Sequence, residues 1–265
     1  MLTGRFAPSP TGPLHLGSLR TALAAWLFAR KAGGEFLLRV EDLDPSRCKP
    51  IFETEQLQAL RALGIDWDGP VVRQSDRLSL YAAALAKLPV YRCYCTRAEL
   101  AQRPCNCRQL GGSGDRFALR FDARGTRIRF QDVLAGPQSF EVDDFIVRRA
   151  DGVFSYQLAV VVDDFQQEVT QVVRGADLLD STARQILLAR TLGYPVAQFA
   201  HVPLVMGPDG KRLAKRYGAS TVLEDPLPWL GASLGIETDE QPKTAADLLE
   251  GFAPDAIPEQ PVSLA

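Results

Sequence analysis

Two short segments of this chain carry residue types suited to binding a nucleoside triphosphate. The first, residues 8–18, reads PSPTGPLHLGS and lies between a short predicted strand and a helical pattern. The N-terminus of a helix directs unpaired N–H groups and a partial positive charge at an anion placed beyond it. Gly17 would let a nucleotide approach the backbone, and His15 can donate to phosphate oxygens. A His-x-Gly alone is a weak motif, but the whole segment in this setting favours a triphosphate site.

The second segment, residues 207–216, reads GPDGKRLAKR and places four cations within six residues on a glycine-led loop. Such a loop could clamp a leaving pyrophosphate, because stabilising charge that develops in the transition state is often the largest catalytic contribution. Taken alone, a basic turn is more often a solvated surface. Together the two segments predict chemistry on ATP.

Cysteines form a third candidate site. Cys93 and Cys95 make one close pair, Cys105 and Cys107 make another, and Cys48 stands apart. Four thiolates within fifteen residues suit tetrahedral zinc, and a small segment without a core of its own would gain folding energy from the metal. The spacing is tighter than the usual Cys-x₂-Cys, so reduced cysteines without a metal remain the alternative.

The elements that must position these sites have the pattern of a parallel α/β sheet. From Ser18 apolar residues recur at helical spacing until Gly33-Gly34, and residues 35–40 then read as a buried strand. Further helices are predicted at 53–63 and at about 75–87, while the apolar run 158–162 fits a buried strand or a helix segment. Ligands of such sheets gather at the carboxyl ends of the strands.

Composition narrows the class of protein. A chain of 265 residues, 46% of them hydrophobic, can bury one large core with a small appended module. A net charge of −2 argues against a general polyanion binder, so any nucleic-acid partner must meet a local basic surface. No apolar stretch of about 18 residues occurs, so no membrane span is expected. The N-terminus lacks a secretory signal, which predicts a cytoplasmic protein.

The two phosphate-handling segments resemble the signature motifs of class I aminoacyl-tRNA synthetases, HLGS at 15–18 for "HIGH" and RLAKR at 212–216 for "KMSKS". The stretches 5–12, 38–44, 156–164 and 173–179 resemble the glutamyl branch of that class, and the resemblance covers roughly residues 3–220. It implies a Rossmann-type parallel-sheet catalytic domain with a zinc-knuckle-bearing insertion. Ala214 replaces the usual serine of the second motif, and Lys215 matches the lysine most often tied to ATP.

The resemblance also implies the site residues. For ATP they are Pro8, His15, Leu16, Gly17, Ser18, Arg212, Leu213 and Lys215, with His15, Gly17 and Lys215 catalytic. For glutamate they are Arg5, Ala7, Ser9, Glu41, Tyr156 and Arg174. This assignment is physically sensible, because an arginine can bind the substrate side-chain carboxylate bidentately and Glu41 can receive the α-ammonium. Simple surface ion pairing of Glu41 and Arg174 is the alternative. His201 is expected to be packed or hydrogen-bonded rather than catalytic.

For the metal, the resemblance to the short glutamyl relatives implies a site made of a Cys-x-Cys pair, a tyrosine and one later cysteine. Cys93, Cys95 and Cys107 match that pattern, whereas Arg103 stands where the tyrosine would fall. Arginine is a poor ligand, so we infer that Cys105 takes the tyrosine's place and that the chain holds one structural zinc.

The chain is thus expected to divide into residues 1–90 and 145–224 for the two catalytic halves, 91–144 for the insertion, and 225–265 for a short extension without an anticodon-binding domain. This organisation resembles the glutamyl-queuosine tRNA(Asp) synthetase family. The resemblance implies activation of glutamate with ATP and Mg²⁺, without tRNA, and transfer to the queuosine base in the anticodon of tRNA(Asp).

Other functions remain open at this point. The chain could be a catalytic-domain glutamyl-tRNA synthetase charging a tRNA 3′ end, or a non-catalytic tRNA-binding paralogue. An adenylating enzyme with a small-molecule or protein acceptor is also possible, because the acceptor surface has no signature. A monomer is expected.

Overall fold

The computed structural model describes residues 1–207, 209–213 and 224–264. The strands are β1 (Thr3–Phe6), β2 (Glu35–Val40), β3 (Val72–Arg73), β4 (Val90–Cys93), β5 (Ala118–Phe121), β6 (Thr126–Asp132), β7 (Gly136–Val142), β8 (Phe145–Arg148), β9 (Gln171–Gly175), β10 (Gln198–Val202), β11 (Val205–Met206) and β12 (Val262–Ser263). The α-helices are α1 (Leu16–Lys31), α2 (Pro50–Ala62), α3 (Leu78–Leu85), α4 (Arg97–Gln102), α5 (Cys107–Leu110), α6 (Tyr156–Gln166), α7 (Leu179–Leu192) and α8 (Leu227–Ser233). Short 3₁₀ helices occur at Gln74–Arg77, Ala176–Leu178, Ala245–Leu248 and Pro254–Ala256.

The central sheet has two parallel halves, β1-β2-β3 and β9-β10. They meet where the N–H of Thr170 donates to the carbonyl of Thr3 and the N–H of Thr3 donates to Oγ1 of Thr170, both at 2.9 Å. The sheet therefore extends from β1 to β2 and β3 in one direction and from β9 to β10 in the other. A crevice opens where the strand order reverses, beyond the carboxyl ends of β1 and β9. This arrangement confirms the predicted Rossmann-type fold class.

Helix α1 lies across this junction. It begins at Leu16, two residues earlier than the apolar pattern indicates, because His15 caps it: Nδ1 accepts a hydrogen bond of 3.1 Å from the N–H of Ser18. The apolar side chains from Ala22 to Ala29 are buried in the core around β1 and β2. Arg30 and Lys31 occupy the last turn, where cations favour the helix dipole.

The apolar run 158–162 is a helix segment rather than a strand. It lies in α6, whose first turn is capped by Oγ of Ser155 accepting from the N–H of Leu158 at 3.4 Å. Continuous burial arises because α3, α7 and β8 pack around this helix. The buried carboxylate of Asp163 joins α6 to α3, accepting hydrogen bonds from Arg77 Nε at 2.7 Å and from the hydroxyl of Tyr81 at 2.8 Å. The other predicted helices are present with shifted ends, as α2 and as the 3₁₀ helix that leads into α3.

The middle of the chain forms two antiparallel units. Strands β4, β5 and β8 make one small sheet, and β6 and β7 make a hairpin. The hairpin extends the central sheet, because Asp132 at the end of β6 pairs in parallel with Phe199 of β10. The hairpin, which is part of the range expected to form an insertion, thus lies beside β10 of the central sheet. The division of the chain into domains at the predicted boundaries stays a prediction.

The C-terminal segment packs on the back of α1. Arg20, 1% exposed, donates from Nε to Oγ of Ser233 at 3.0 Å and from Nη2 to its carbonyl at 2.8 Å. Residue Phe252 contributes an aromatic ring to the same core, edge-on to Phe28 with ring centroids 5.3 Å apart. Within the described ranges, no helix is both long and apolar enough to cross a membrane.

Candidate active site

A cavity of about 330 Å³ lies in the crevice at the carboxyl ends of β1 and β9. It brings together most of the residues predicted from the sequence: Arg5, Ala7, Pro8, Ser9, His15, Gly17, Ser18, Glu41, Tyr156, Arg174, Arg212 and Leu213. Leu16 does not line it, because its side chain is 4% exposed and packs in the core. Lys215 lies outside the described residues, as do Ala214 and Arg216.

The loop before α1 forms the end of the cavity where the sequence predicts a phosphate to bind. Gly17 packs closely against the capping residue, because a Cβ there would lie 3.2 Å from Nδ1 and 3.3 Å from Cε1 of His15, and the imidazole would have to shift to admit it. Nε2 of the buried Gln56 holds the loop by donating to the carbonyls of Ser9 at 3.1 Å and Gly12 at 2.7 Å. The N-terminus of α1 is therefore fixed before any anion arrives.

Across the cavity, the described part of the basic loop adds one cation to the wall. Arg212 is paired with Asp177, which follows β9 and also lines the cavity. This pairing connects the basic loop to the end of β9. A phosphate group bound at the start of α1 would therefore lie opposite a guanidinium that already has a carboxylate partner.

Arg174 forms the wall of the cavity at β9. Its side chain is buried, and the shortest hydrogen bonds from its guanidinium go to Gln185 Oε1 and Thr182 Oγ1, both at 2.7 Å. Tyr156 accepts a longer bond of 3.3 Å. Within the described chain no carboxylate is in ion-pair distance of Arg174. Burial lowers the pKa of Arg174, which makes an anionic ligand favourable here.

Glu41, at the end of β2, is the matching acidic group. Its side chain is 9% exposed, and among the described residues Oε1 has no hydrogen-bond partner, the nearest cation being Arg39 Nη2 at 3.7 Å. Burial raises the pKa of Glu41 to about 7, although Arg39 and Arg5 oppose this. A buried carboxylate oxygen without a donor is costly, so a cationic ligand is expected at this end.

A buried ion network under the cavity holds Arg5 in place. Nε of Arg5 donates to Oδ1 of Asp164 at 3.3 Å, and Arg39 lies 2.8 Å from the same oxygen. Burial by itself would raise the pKa of Asp164, but the two arginines hold it below the usual range. Asp164 therefore stays ionised, and Arg5 reaches the cavity wall already paired.

The geometry selects a class of ligand. One wall offers a cation without an acidic partner, another offers a carboxylate oxygen without a donor, and the start of α1 offers N–H groups for an anion. An amino acid with an acidic side chain, bound beside a nucleotide phosphate, satisfies all three.

The four cysteines of the two close pairs form a separate cluster. Their sulfurs lie within 4.8 Å of one another, with Sγ–Sγ distances of 3.4 Å for Cys93–Cys105 and 3.5 Å for Cys95–Cys107. Four sulfurs at about 2.3 Å from one tetrahedral zinc would lie about 3.8 Å apart, so these residues could hold such an ion. Arg103 is exposed and bonds Asn106 instead, which agrees with Cys105 standing in for the expected tyrosine. Cys48 lies apart, near the carbonyl of Glu41.

Several residues of the site gave no signal in the sequence. Gln56 is a glutamine in the middle of a helix, and only the fold shows that it holds the loop before α1. Thr182 and Gln185 lie on the buried face of α7 under Arg174. His201 is buried and hydrogen-bonded, as expected, but its partner on one side is Arg174, with Nε2 accepting from Nε at 3.1 Å.

The sequence of this chain is similar to known proteins along most of its length. A family model described as the catalytic domain of class I tRNA synthetases for E and Q matches residues 1–116 and 106–229. The chain is 48% identical to the glutamyl-Q tRNA(Asp) synthetase of Nocardia farcinica, over 97% of this chain and 91% of that protein. It is 45% identical to the protein of the same name in Symbiobacterium thermophilum, over 100% of this chain and 96% of that one.

Solved structures with this fold include a glutamate tRNA ligase from Elizabethkingia meningosepticum in complex with its amino acid. It superposes with a TM-score of 0.83 at 26% identity, covering 100% of this chain and 67% of that one. The glutamate-tRNA synthetase of Elizabethkingia anophelis also superposes with a TM-score of 0.83, at 27% identity.

Proposed function

Because the chain belongs to the glutamyl-Q tRNA(Asp) synthetase family of class I enzymes, we propose that it activates glutamate with ATP and transfers the glutamyl group to queuosine in tRNA(Asp). One observation carries the choice of amino acid. A single cavity contains Arg174, a buried cation with neutral partners, and Glu41, a buried carboxylate with an unbonded oxygen. Glutamate supplies the anion that Arg174 lacks and the N–H donors that Oε1 of Glu41 lacks.

In the bound state, we place the side-chain carboxylate of glutamate on Arg174 and its α-ammonium on Glu41. A planar guanidinium suits a carboxylate and not a carboxamide, so this orientation favours glutamate over glutamine. The α-carboxylate then points toward the start of α1, where ATP is proposed to bind through His15, Ser18 and the backbone at Gly17.

In the first step, an oxygen of the α-carboxylate attacks the α-phosphorus of ATP. The new O–P bond forms as the bond to the β-phosphate oxygen breaks, and pyrophosphate leaves with the electron pair. Arg212 and Lys215 are proposed to stabilise the charge on the departing group, and Mg²⁺ is proposed to accompany the phosphates. The step uses no enzyme nucleophile and no tRNA, so positioning and charge stabilisation supply the rate.

In the second step, a hydroxyl of the queuosine cyclopentenediol attacks the carbonyl carbon of glutamyl-adenylate. An ester bond forms, the mixed anhydride breaks, and AMP leaves with the electron pair while the hydroxyl proton passes to its phosphate. We propose further that the cysteine cluster holds one structural zinc and that the enzyme acts as a monomer.

The experiment that tests this function uses labelled glutamate, ATP and two tRNA pools, one containing queuosine and one from cells unable to make it. Label on the queuosine-containing pool alone is the expected result. Equal label on both pools would favour a conventional acceptor end, and no glutamate-dependent exchange of pyrophosphate into ATP would favour a non-catalytic paralogue.

The pH dependence of glutamate use follows from Glu41. Burial raises its pKa to about 7, so the free enzyme loses the negative charge that receives the α-ammonium as pH falls through that value. We expect kcat/KM for glutamate to fall about tenfold per pH unit below about 7, because this ratio reports groups of the free enzyme. In Glu41→Gln the ratio should be lower and flat with pH. An unchanged acid limb in that variant would assign the titration to another group.

A further inference from the structure

Arg174 uses all of its N–H groups in this structure, and the lengths of its bonds divide them into two sets. Three are held from behind by groups that do not line the cavity: Gln185 and Thr182 at 2.7 Å and His201 at 3.1 Å. The remaining two, to Tyr156 Oη and to the carbonyl of Leu178, are 3.3 Å long and go to residues that do line it. A substrate carboxylate can therefore replace the two long bonds without disturbing the other three.

His201 can accept from Arg174 only in one tautomer. Its other ring nitrogen, Nδ1, lies 2.6 Å from Oδ2 of Asp132, and both side chains are fully buried. Burial by itself would raise the pKa of Asp132, but its hydrogen bonds with His201 and with the N–H of Ala135 hold it below the usual range. The ionised carboxylate accepts only, so Nδ1 must carry the proton and Nε2 is left as an acceptor.

Asp132 is itself oriented by the backbone around it. Its Oδ1 accepts from the N–H groups of His201 at 3.1 Å, Leu134 at 3.1 Å and Ala135 at 2.9 Å, which leaves Oδ2 for the imidazole. The carboxylate thus has no freedom to rotate. It lies at the end of β6, in the hairpin from the middle of the chain, while Arg174 lies on β9 and His201 on β10.

We propose that Asp132 and His201 are positioning residues for glutamate recognition, an inference that rests on the proposed function. Asp132 selects the His201 tautomer whose Nε2 accepts from Nε of Arg174, and this contact turns the two cavity-facing N–H groups of the guanidinium toward the substrate side-chain carboxylate. Neither residue touches the substrate. Their effect is on the alignment of Arg174, and so on the affinity for glutamate and on its discrimination from glutamine.

Asp132→Asn tests this directly. Oδ1 must remain an oxygen to serve three N–H groups, so the new amide NH₂ takes the place of Oδ2 and donates to Nδ1. The imidazole proton then moves to Nε2, where it faces the N–H of Arg174. Loss of a hydrogen bond to a charged group predicts a KM for glutamate about 10- to 100-fold higher in pyrophosphate exchange, with the KM for ATP within about twofold. The preference for glutamate over glutamine should shrink by a similar factor.

Two substitutions at His201 provide an independent test if Asp132→Asn folds poorly. His201→Leu removes the contacts with Asp132 and Arg174, together with that between Nε2 and Oγ1 of Thr182 at 3.1 Å, and should raise the KM for glutamate by a similar factor. His201→Gln can offer an oxygen to Arg174 and an N–H to Asp132, so it should retain a KM within about threefold of the unmodified enzyme. If the imidazole only supported the fold, glutamine at this position would not restore the KM for glutamate where leucine fails to do so.

Gln171→Met is the matched control. Gln171 is buried on β9, and its Nε2 donates to Oε1 of Gln198 on β10 at 2.8 Å, three positions before the Arg174–His201 pair on both strands. Its loss should lower thermal stability and leave the KM for glutamate unchanged. Folded Asp132→Asn and His201→Leu enzymes with an unchanged KM for glutamate, or with equal losses for ATP, would overturn the inference. An unmodified enzyme without glutamate-dependent exchange would instead overturn the proposed function.

Discussion

Replacing Arg174 with methionine is expected to lower kcat/KM for glutamate by about 10²- to 10³-fold, because truncating a buried, hydrogen-bonded charge pair costs roughly 3–4 kcal/mol. Methionine keeps an unbranched, flexible stem in place of the arginine stem and removes the charge and all five N–H donors. The KM for ATP should change little, since the phosphate-binding residues lie at the other end of the cavity. The kcat/KM for glutamine should fall much less than the kcat/KM for glutamate, so the selectivity between the two amino acids should approach unity. Pyrophosphate exchange with each amino acid measures all three quantities.

Two further variants sharpen this test. Arg174→Lys keeps the charge but not the planar fork, so it should remain severely impaired. Arg184→Met removes an arginine of the same helix–strand unit whose partner is the exposed Asp180, and it should behave as the unmodified enzyme. A folded Arg174→Met enzyme that keeps glutamate kcat/KM within about fivefold would mean that another cation, such as Arg5, binds the carboxylate.

Removal of the proposed zinc is expected to unfold the segment around the cysteine cluster while the glutamate cavity remains. Helices α4 and α5 have 6 and 4 residues, too few to be stable alone, and those of their side chains that the structure describes are mostly exposed. Structural zinc can supply about 10 kcal/mol or more of folding free energy to such a segment. Chelation should therefore raise amide hydrogen exchange in residues 93–110 by at least about 10³-fold, with little change in β1, β9 and β10.

Elemental analysis gives the direct measurement, with about one zinc per chain expected. Cys105→Ser should lose the metal, since it removes one of four ligands, whereas Cys48→Ser should retain it, because Cys48 lies outside the cluster. Freshly purified protein without zinc, or a Cys105→Ser variant with a full complement of it, would contradict the proposed ligand set.

The parts of the fold that sequence reasoning predicts well are those determined by neighbouring residues. Helix α1 and strand β2 follow from apolar periodicity and from Gly33, whose φ of +63° suits the turn between them. The apolar pattern places the start of α1 two residues too late, because the cap is a histidine, which is not among the usual capping residues. The run 158–162 stayed ambiguous because its burial comes from α3 and α7, which periodicity within five residues does not report.

The site divides in the same way. Most of the residues implied by motif resemblance meet in one cavity. The side chains that hold these residues in position are not predicted from the sequence. Asp132, Arg174 and His201 are brought together from three strands that lie 27 to 69 positions apart in the chain. Gln56 reaches back 44 residues to Gly12. Nothing local distinguishes Asp132, His201 and Gln56 from ordinary buried polar residues, so their roles become visible only when the sheet is assembled.

The unmatched charges of the cavity have a consequence for the folded state itself. Without a ligand, the chain must bury a guanidinium that lacks an anion and a carboxylate oxygen that lacks a donor, and both reduce the free energy of unfolding. A substrate that carries both a carboxylate and an ammonium group supplies both missing partners. Its binding therefore completes the pairing of these buried groups and stabilises the folded state. At about 100 times its dissociation constant, such a ligand adds about 2.7 kcal/mol to the free energy of unfolding. The lifetime of this protein in a cell would then follow the abundance of the amino acid that it consumes.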